Sequence, residues 1–253
     1  MRSVLPRLLL AVSLISLGAC ATRPPPGDQA ALEEYNENND PAEPTNRVFY
    51  AINNGIDTVL FRPAAVAYRT VVPGVARRHI HNLLANMSSP VVFTNDVLEA
   101  KSRRAGSTLM RFLINTTAGV GGLFDVATDL GYPEHDADFG ITLALWGVGE
   151  GPFLFLPVLG PSNPRDFAGF GGDILLDPLT WASFPGSKTL GYSRYGLNAV
   201  DTRERYLDTT DNIKKTALDP YATFRSLYRQ NRQSTIDKVR QDNQTTVPAW
   251  FNR

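Results

Sequence analysis

From Phe139 to Gly160 the chain runs twenty-two residues with a single charge, Glu150. Length and apolarity alone would nominate a membrane-spanning helix. The centre, Gly147-Val148-Gly149-Glu150-Gly151-Pro152, forbids one. Each glycine costs a helix interior about 1 kcal/mol and a proline about 3 kcal/mol. Two apolar limbs remain, Phe139–Trp146 and Phe153–Leu159, each roughly 12 Å long if helical. That is about half of a hydrocarbon core of roughly 30 Å. The segment can enter one leaflet and turn back, or fold as a buried hairpin in a soluble core. Irregular backbone is not tolerated against lipid, so in a membrane it must be wrapped in protein or line a wet passage.

The glycines do not make a nucleotide loop. A Walker loop needs Lys and Ser/Thr after its last glycine, to engage phosphate and magnesium. Here Pro152 follows Gly151. A dinucleotide fold needs a helix opening at the glycines, and Pro157 interrupts any such helix.

The N-terminus points to an envelope protein. Arg2 and Arg7 precede an apolar run, Leu8–Leu17, of signal-peptide length. The run ends in Leu17-Gly18-Ala19-Cys20, a pattern similar to the bacterial lipobox, which implies cleavage before Cys20 and acylation of its sulfur. Cys20 is the only cysteine, so no internal disulfide can form. Several acyl chains on one residue make a firm anchor. Ala21, rather than Asp, follows the cysteine, which by similarity to bacterial lipoproteins favours the outer membrane. The expected organisation is a signal peptide over 1–19, a lipidated tether over 20–39, a helical domain over 40–230 and a polar tail over 231–253.

Within that domain the apolar spacing is helical. Phe49, Ile52, Ile56, Val59 and Leu60 form one run, with Pro63 as its stop. Leu109, Phe112 and Leu113 form another before Gly119. Ser88-Ser89-Pro90 reads as a helix start running to about Glu99, and Asn163-Pro164 and Asp219-Pro220 as two more. Leu190, Leu197, Val200 and Leu207 mark one long helix. No period-two alternation or Asn-Gly turn appears. The expected class is all-α, with many short helices cut by Pro and Gly. Lys+Arg and Asp+Glu both number 25, and this balance excludes the basic field of a nucleic-acid binder.

Catalysis finds little support. There is no Gly-x-Ser-x-Gly elbow and no Ser-x-x-Lys, so a membrane-anchored phospholipase lacks an activated nucleophile. His79 and His81 share no helix face. Glu134-His135-Asp136-Ala137-Asp138 suits an ion on paper but reads as a solvated turn before a helix starting at Asp138. No catalytic, metal or cofactor site is expected.

Five segments in order carry a family resemblance: NDPAEPTNRVFYAINNGID (Asn39–Asp57), RPAAVAYRTVVP (Arg62–Pro73), RFLINTTAGVGGLFDVA (Arg111–Ala127), DFGITLALWGVGEGPFLFLPVLGPSNPRD (Asp138–Asp166) and DPY (Asp219–Tyr221). Together they resemble the VacJ/MlaA outer-membrane lipoproteins. The resemblance implies a single ring-like helical body held in the inner leaflet, with an amphipathic channel that removes phospholipids mislocalised to the outer leaflet. It also implies two partners, a trimeric outer-membrane porin of the OmpC/OmpF type and a soluble periplasmic carrier like MlaC. On this reading Phe139, Leu143, Trp146, Gly147, Gly149, Glu150, Gly151, Pro152, Phe153, Phe155 and Pro157 form the channel wall or gate. Arg165 and Asp166 then fix the next helix by charge pairing, or Arg165 meets a lipid phosphate. A porin accessory without transport is the competing role, and tolerance of charge in the two limbs would mark it.

Overall fold

The computed structural model describes residues 24–25 and 27–241. The signal peptide, Cys20 and residues from 242 onward lie outside them. The helices are α1 (Gln29–Asn38), α2 (Glu43–Ile56), α3 (Arg62–Val71), α4 (Gly74–Leu98), α5 (Ser102–Thr117), α6 (Val126–Asp129), α7 (Phe139–Leu145), α8 (Pro164–Leu176), α9 (Pro178–Trp181), α10 (Ser187–Arg205), α11 (Leu207–Thr216) and α12 (Pro220–Arg240). A π-turn, Asp57–Phe61, joins α2 to α3. The class is all-α, as expected. One short antiparallel pair interrupts it, β1 (Leu154–Leu156) against β2 (Gly160–Ser162), with Phe155 opposite Pro161.

Several boundaries differ from the sequence reading, each for a local reason. Pro63 does not end the α2 run. Arg62 N–H bonds Asp57 O, one residue further back than in an α-helix, and the widened turn carries Pro63 into α3. Pro90 does not open a helix but lies inside α4. The residues before it, rich in Arg, His and Asn, hide their helix from an apolar-periodicity test. Ser88 and Ser89 donate to Leu84 O and Ala85 O, bonding carbonyls of the turn before the proline. The second limb is not helical: it is the β1–β2 hairpin, too short for alternation to show. The long helix expected through Leu207 breaks at Tyr206. The tether contains α1, capped by Asp28 through Ala31 N–H. The polar tail is helical to Arg240, because Ile236 and Val239 are buried against Ile141 and Ala144.

Expected helix starts at Asp138, Asn163 and Asp219 are all present. Their side chains accept from Ile141, Asp166 and Ala222 N–H at 2.9, 2.8 and 3.1 Å. The main packing pairs are α4 with α5, α7 with α8, and α10 with α3. The helices α7 and α8 meet backbone to backbone. A Cβ on Gly169 would sit 2.4 Å from Gly140 N, so only glycine fits.

A compact aromatic core holds β1 to α2 and α12. Phe153 and Phe155 are buried with Tyr221, and Tyr50 meets Phe155 edge-on at 5.4 Å. Beside it Asp40, buried, accepts from Arg225 at 2.8 Å, from Asn46 at 2.7 Å and from the Tyr221 hydroxyl.

The surface is inverted relative to an ordinary soluble domain. Among the described residues, buried polar side chains outnumber buried apolar ones. Val48, Ile52, Val59, Leu60, Leu109, Leu113, Trp181 and Leu175 are all exposed, Val59 at 81%. The apolar periodicity of α5 therefore marks an outer face, while on α2 Ile52 faces outward and Phe49 packs against the aromatic core. No helix among the described residues is long and apolar enough to cross a membrane.

The Gly169 contact sets a test. Gly169→Ala should lower thermal stability by roughly 2 kcal/mol, the cost of overpacking. Gly171→Ala, with nothing within 4 Å of its Cβ position, should leave it unchanged or raise it slightly. Calorimetry of the two variants separates a close-packed α7–α8 seam from a loose one.

Candidate functional site

The polar interior is built by α4 and α5. On α5 the residues Arg104, Thr108, Arg111 and Asn115 recur at four- and three-residue steps, and all are buried. On α4 the corresponding face carries Asn82, Asn86, Ser89, Asn95 and Asp96, with Glu99 at the C-cap. Charged and amide groups taken out of water must find partners, so these two faces settle the local geometry.

Most of these groups have partners. Asp96, fully buried, accepts from Thr108 Oγ1 at 2.6 Å and lies 3.0 Å from His135 Nε2 and 3.4 Å from Arg104 Nε. His135 thus turns inward, and the expected solvated turn at Glu134–Asp138 is instead a lid on this cluster. Arg111 donates to Thr128 Oγ1 at 2.8 Å, to Tyr132 O and to Asp125. Asn115 donates to Asp125 at 3.0 Å and receives Ala127 N–H. Burial pushes the Asp125 carboxyl up, but bonds from Thr128 and Asn115 and the Arg111 charge hold it below the usual range.

Deeper along α4 the balance tips the other way. Burial, helped by the Asp96 charge, pushes Glu99 up to about 7. Its Oε1 meets the Thr142 hydroxyl at 3.3 Å, and its Oε2 has no partner. Burial pushes Asp173 up to about 6, against bonds from Asn95 and Phe139 N–H. Two cavities flank α4. One, of about 40 Å³, lies between α4, α5 and the segment 125–135. The other, of about 200 Å³, lies between α4, α8 and α10, with Val91, Phe170 and Ile174 beside Arg194, Asn198 and Ser88. This second wall is amphipathic. Arg194 is paired with Asp177 at 2.5 Å and with Ser88 at 3.1 Å.

A family model described as MlaA lipoprotein matches residues 38–235. The chain belongs to the MlaA lipoprotein family. It is 35% identical over 196 residues to the Shigella flexneri protein named Intermembrane phospholipid transport system lipoprotein MlaA, covering 76% of each chain. The Haemophilus influenzae protein of the same name is 31% identical over 230 residues, covering 89% of this chain and 88% of its own. A solved structure described as "Structural basis for maintenance of bacterial outer membrane lipid asymmetry" superposes with a TM-score of 0.68 at 32% identity, covering 78% of this chain and 98% of that one.

The residues singled out from the MlaA-like motif fall into two groups. Trp146, Gly147 and Gly149 are exposed in a loop with left-handed backbone at Gly147 and Gly151. Trp146 packs edge-on against Phe139 and donates to Leu98 O at 3.1 Å, and Leu143 lies on α7 between them. Glu150 pairs with Arg229 at 2.9 Å, a polar setting. Pro152 leads into Phe153 and Phe155, which belong to the aromatic core, and Pro157 lies in the hairpin turn. None of these residues lines either cavity. Arg165 bonds Asp166 at 3.0 Å, but the stronger clamp is Arg232, which reaches both Asp138 and Asp166.

The α4 and α5 faces went unnoticed in the sequence. The signal was present as polar residues at 104, 108, 111 and 115, spaced like a buried stripe.

Two outcomes follow from these placements. The Glu99 carboxyl is held neutral in the fold, so the stability this gives is full below about pH 4.5 and is lost as pH rises to about 7. Chemical denaturation of the wild type should show a decline of up to about 3 kcal/mol across that window, and Glu99→Gln should flatten this component of it. The Glu150–Arg229 pair is half open to solvent, so Glu150→Gln should change stability by less than about 1 kcal/mol.

Proposed function

We propose that this chain is an outer-membrane lipoprotein that moves phospholipid out of the outer leaflet, through a polar interior, to a soluble carrier in the periplasm. The observation that carries this reading is the inverted burial: an apolar outer face around α2, α5 and α8, and a polar seam along α4. A phospholipid crossing a leaflet must shield its headgroup from hydrocarbon, and a body apolar outside and polar inside lowers that cost without chemistry. With no spanning helix, such a body suits residence in one leaflet, held there by acylated Cys20.

Three further features support the reading. Relatives at 31–35% identity are named for intermembrane phospholipid transport. The amphipathic cavity between α4, α8 and α10 offers apolar walls beside Arg194 and Ser88, a surface on which both acyl chain and headgroup find partners. The loop Gly147–Gly151 is exposed between two fixed ends, Trp146 and Phe153, and serves as gate in this scheme. A trimeric porin then holds the ring in place, and a carrier receives the lipid on the periplasmic side.

Replacing Cys20 with Ala, and separately shortening Gly147–Gly151, tests the scheme in cells. Each stably expressed variant should raise outer-leaflet phospholipid and detergent sensitivity. Unchanged values in both would defeat transport and leave a structural role beside a porin.

A further inference from the structure

The smaller cavity, between α4, α5 and the segment 125–135, is lined by two residues with a buried polar atom that has no partner. One is Asn86 Oδ1. Asn86 is buried, and its amide orientation is fixed: Nδ2 donates to Thr116 Oγ1 at 3.0 Å and to Gly121 O at 3.3 Å, so Oδ1 must lie on the other side. The Gly122 backbone presses against it, since a Cβ there would come within 2.5 Å of Asn86 Cβ. The amide is therefore clamped and cannot flip to find a partner.

The other is His135 Nδ1, on a side chain only 5% exposed. The Asp96 carboxylate and Thr108 hydroxyl face Nε2, and Nδ1 has no partner within the protein among the described residues. Leaving the Asn86 oxygen dry is costly, so the cavity calls for a donor. The charges around it favour a cation. Of the carboxylates and guanidinium groups that line it, Asp125 and Glu134 stand against Arg111, one carboxylate in excess, and Glu134 is exposed at the rim. At about 40 Å³ the space takes a group of water size and no more.

We propose that this cavity receives a primary ammonium group, carried on the headgroup of an ethanolamine phospholipid. The ammonium N–H groups are donors for Asn86 Oδ1 and for the Glu134 carboxylate at the rim. A quaternary choline head has no N–H and is too bulky to enter. The inference rests on the transport reading and adds a headgroup preference to it.

The acylated full-length protein in detergent is equilibrated with vesicles of phosphatidylethanolamine and phosphatidylcholine in equal amounts with identical acyl chains, and the bound lipid is quantified. The wild type should enrich the ethanolamine lipid about tenfold, the cost of one unmet buried acceptor. Ser89→Leu fills the cavity and leaves Asn86 and His135 in place. It should return the ratio to that of the vesicles while total bound lipid stays the same. Glu134→Gln, at the exposed rim, should lower the ratio by about threefold and decides the matter where Ser89→Leu fails to fold. A wild-type ratio equal to the vesicles' overturns the proposal and leaves water as the occupant. So does enrichment that survives either variant. Free ethanolamine that binds without any lipid enrichment overturns the lipid source. Failure to bind either lipid defeats the transport reading as well, so the two failures are told apart.

Discussion

The fold depends on polar side chains that cannot reach water. Along the α4–α5 seam, Asp96, Arg104, Thr108, Arg111 and Asn115 are removed from solvent, and each must find a partner inside the protein. That requirement draws in segments with little apolar content of their own. The stretch from Asp125 to His135 holds one short helix, α6, and is otherwise irregular, yet Asp125, Thr128, Tyr132 and His135 are fixed by bonds to α4 and α5. An apolar seam would tolerate sliding; a network of paired charges has one register. The apolar residues of the same helices are then free to face outward.

This explains which parts of the structure were legible in the sequence. Helix period was readable on α2, α5, α8 and α12, and starts at Asp138, Asn163 and Asp219 were readable because capping chemistry is local. Which side of the helix faces inward was not readable by the usual rule. Leu109 and Leu113 gave the period of α5 correctly, but they lie outside, and Thr108 and Arg111 lie inside. The first half of α4 was missed because its residues are polar, and the end of α12 because two buried residues, Ile236 and Val239, sit in a polar run. Pro63 and Pro90 were read as boundaries. A π-turn carries the one, and its tertiary surroundings hold the other inside a long helix.

The candidate site shows the same division. The glycine-rich motif between Phe139 and Pro157 is the most recognisable stretch, and in the structure it splits into an exposed loop and a buried aromatic core. The cavities lie elsewhere, against α4. Their lining residues are ordinary Asn, Ser, Arg and His, spread across the chain, and only the packing of distant helices makes them neighbours. Of the charges chosen beforehand, Glu150 has a partner on α12 that no sequence spacing could have nominated.

Asp40 carries one more consequence. Its partner Arg225 lies 185 residues further along the chain. Closing a loop of that length costs roughly 5 kcal/mol of chain entropy before any contact repays it. The Asp40–Arg225 pair therefore forms late, although the N-terminal segment meets β1 earlier in the chain, where Asn46 donates to Phe153 O and accepts from Phe155 N–H. The contacts of α2 with β1 come first along the chain, and Tyr221 and Arg225 seal them only once α12, the last helix among the described residues, has been delivered.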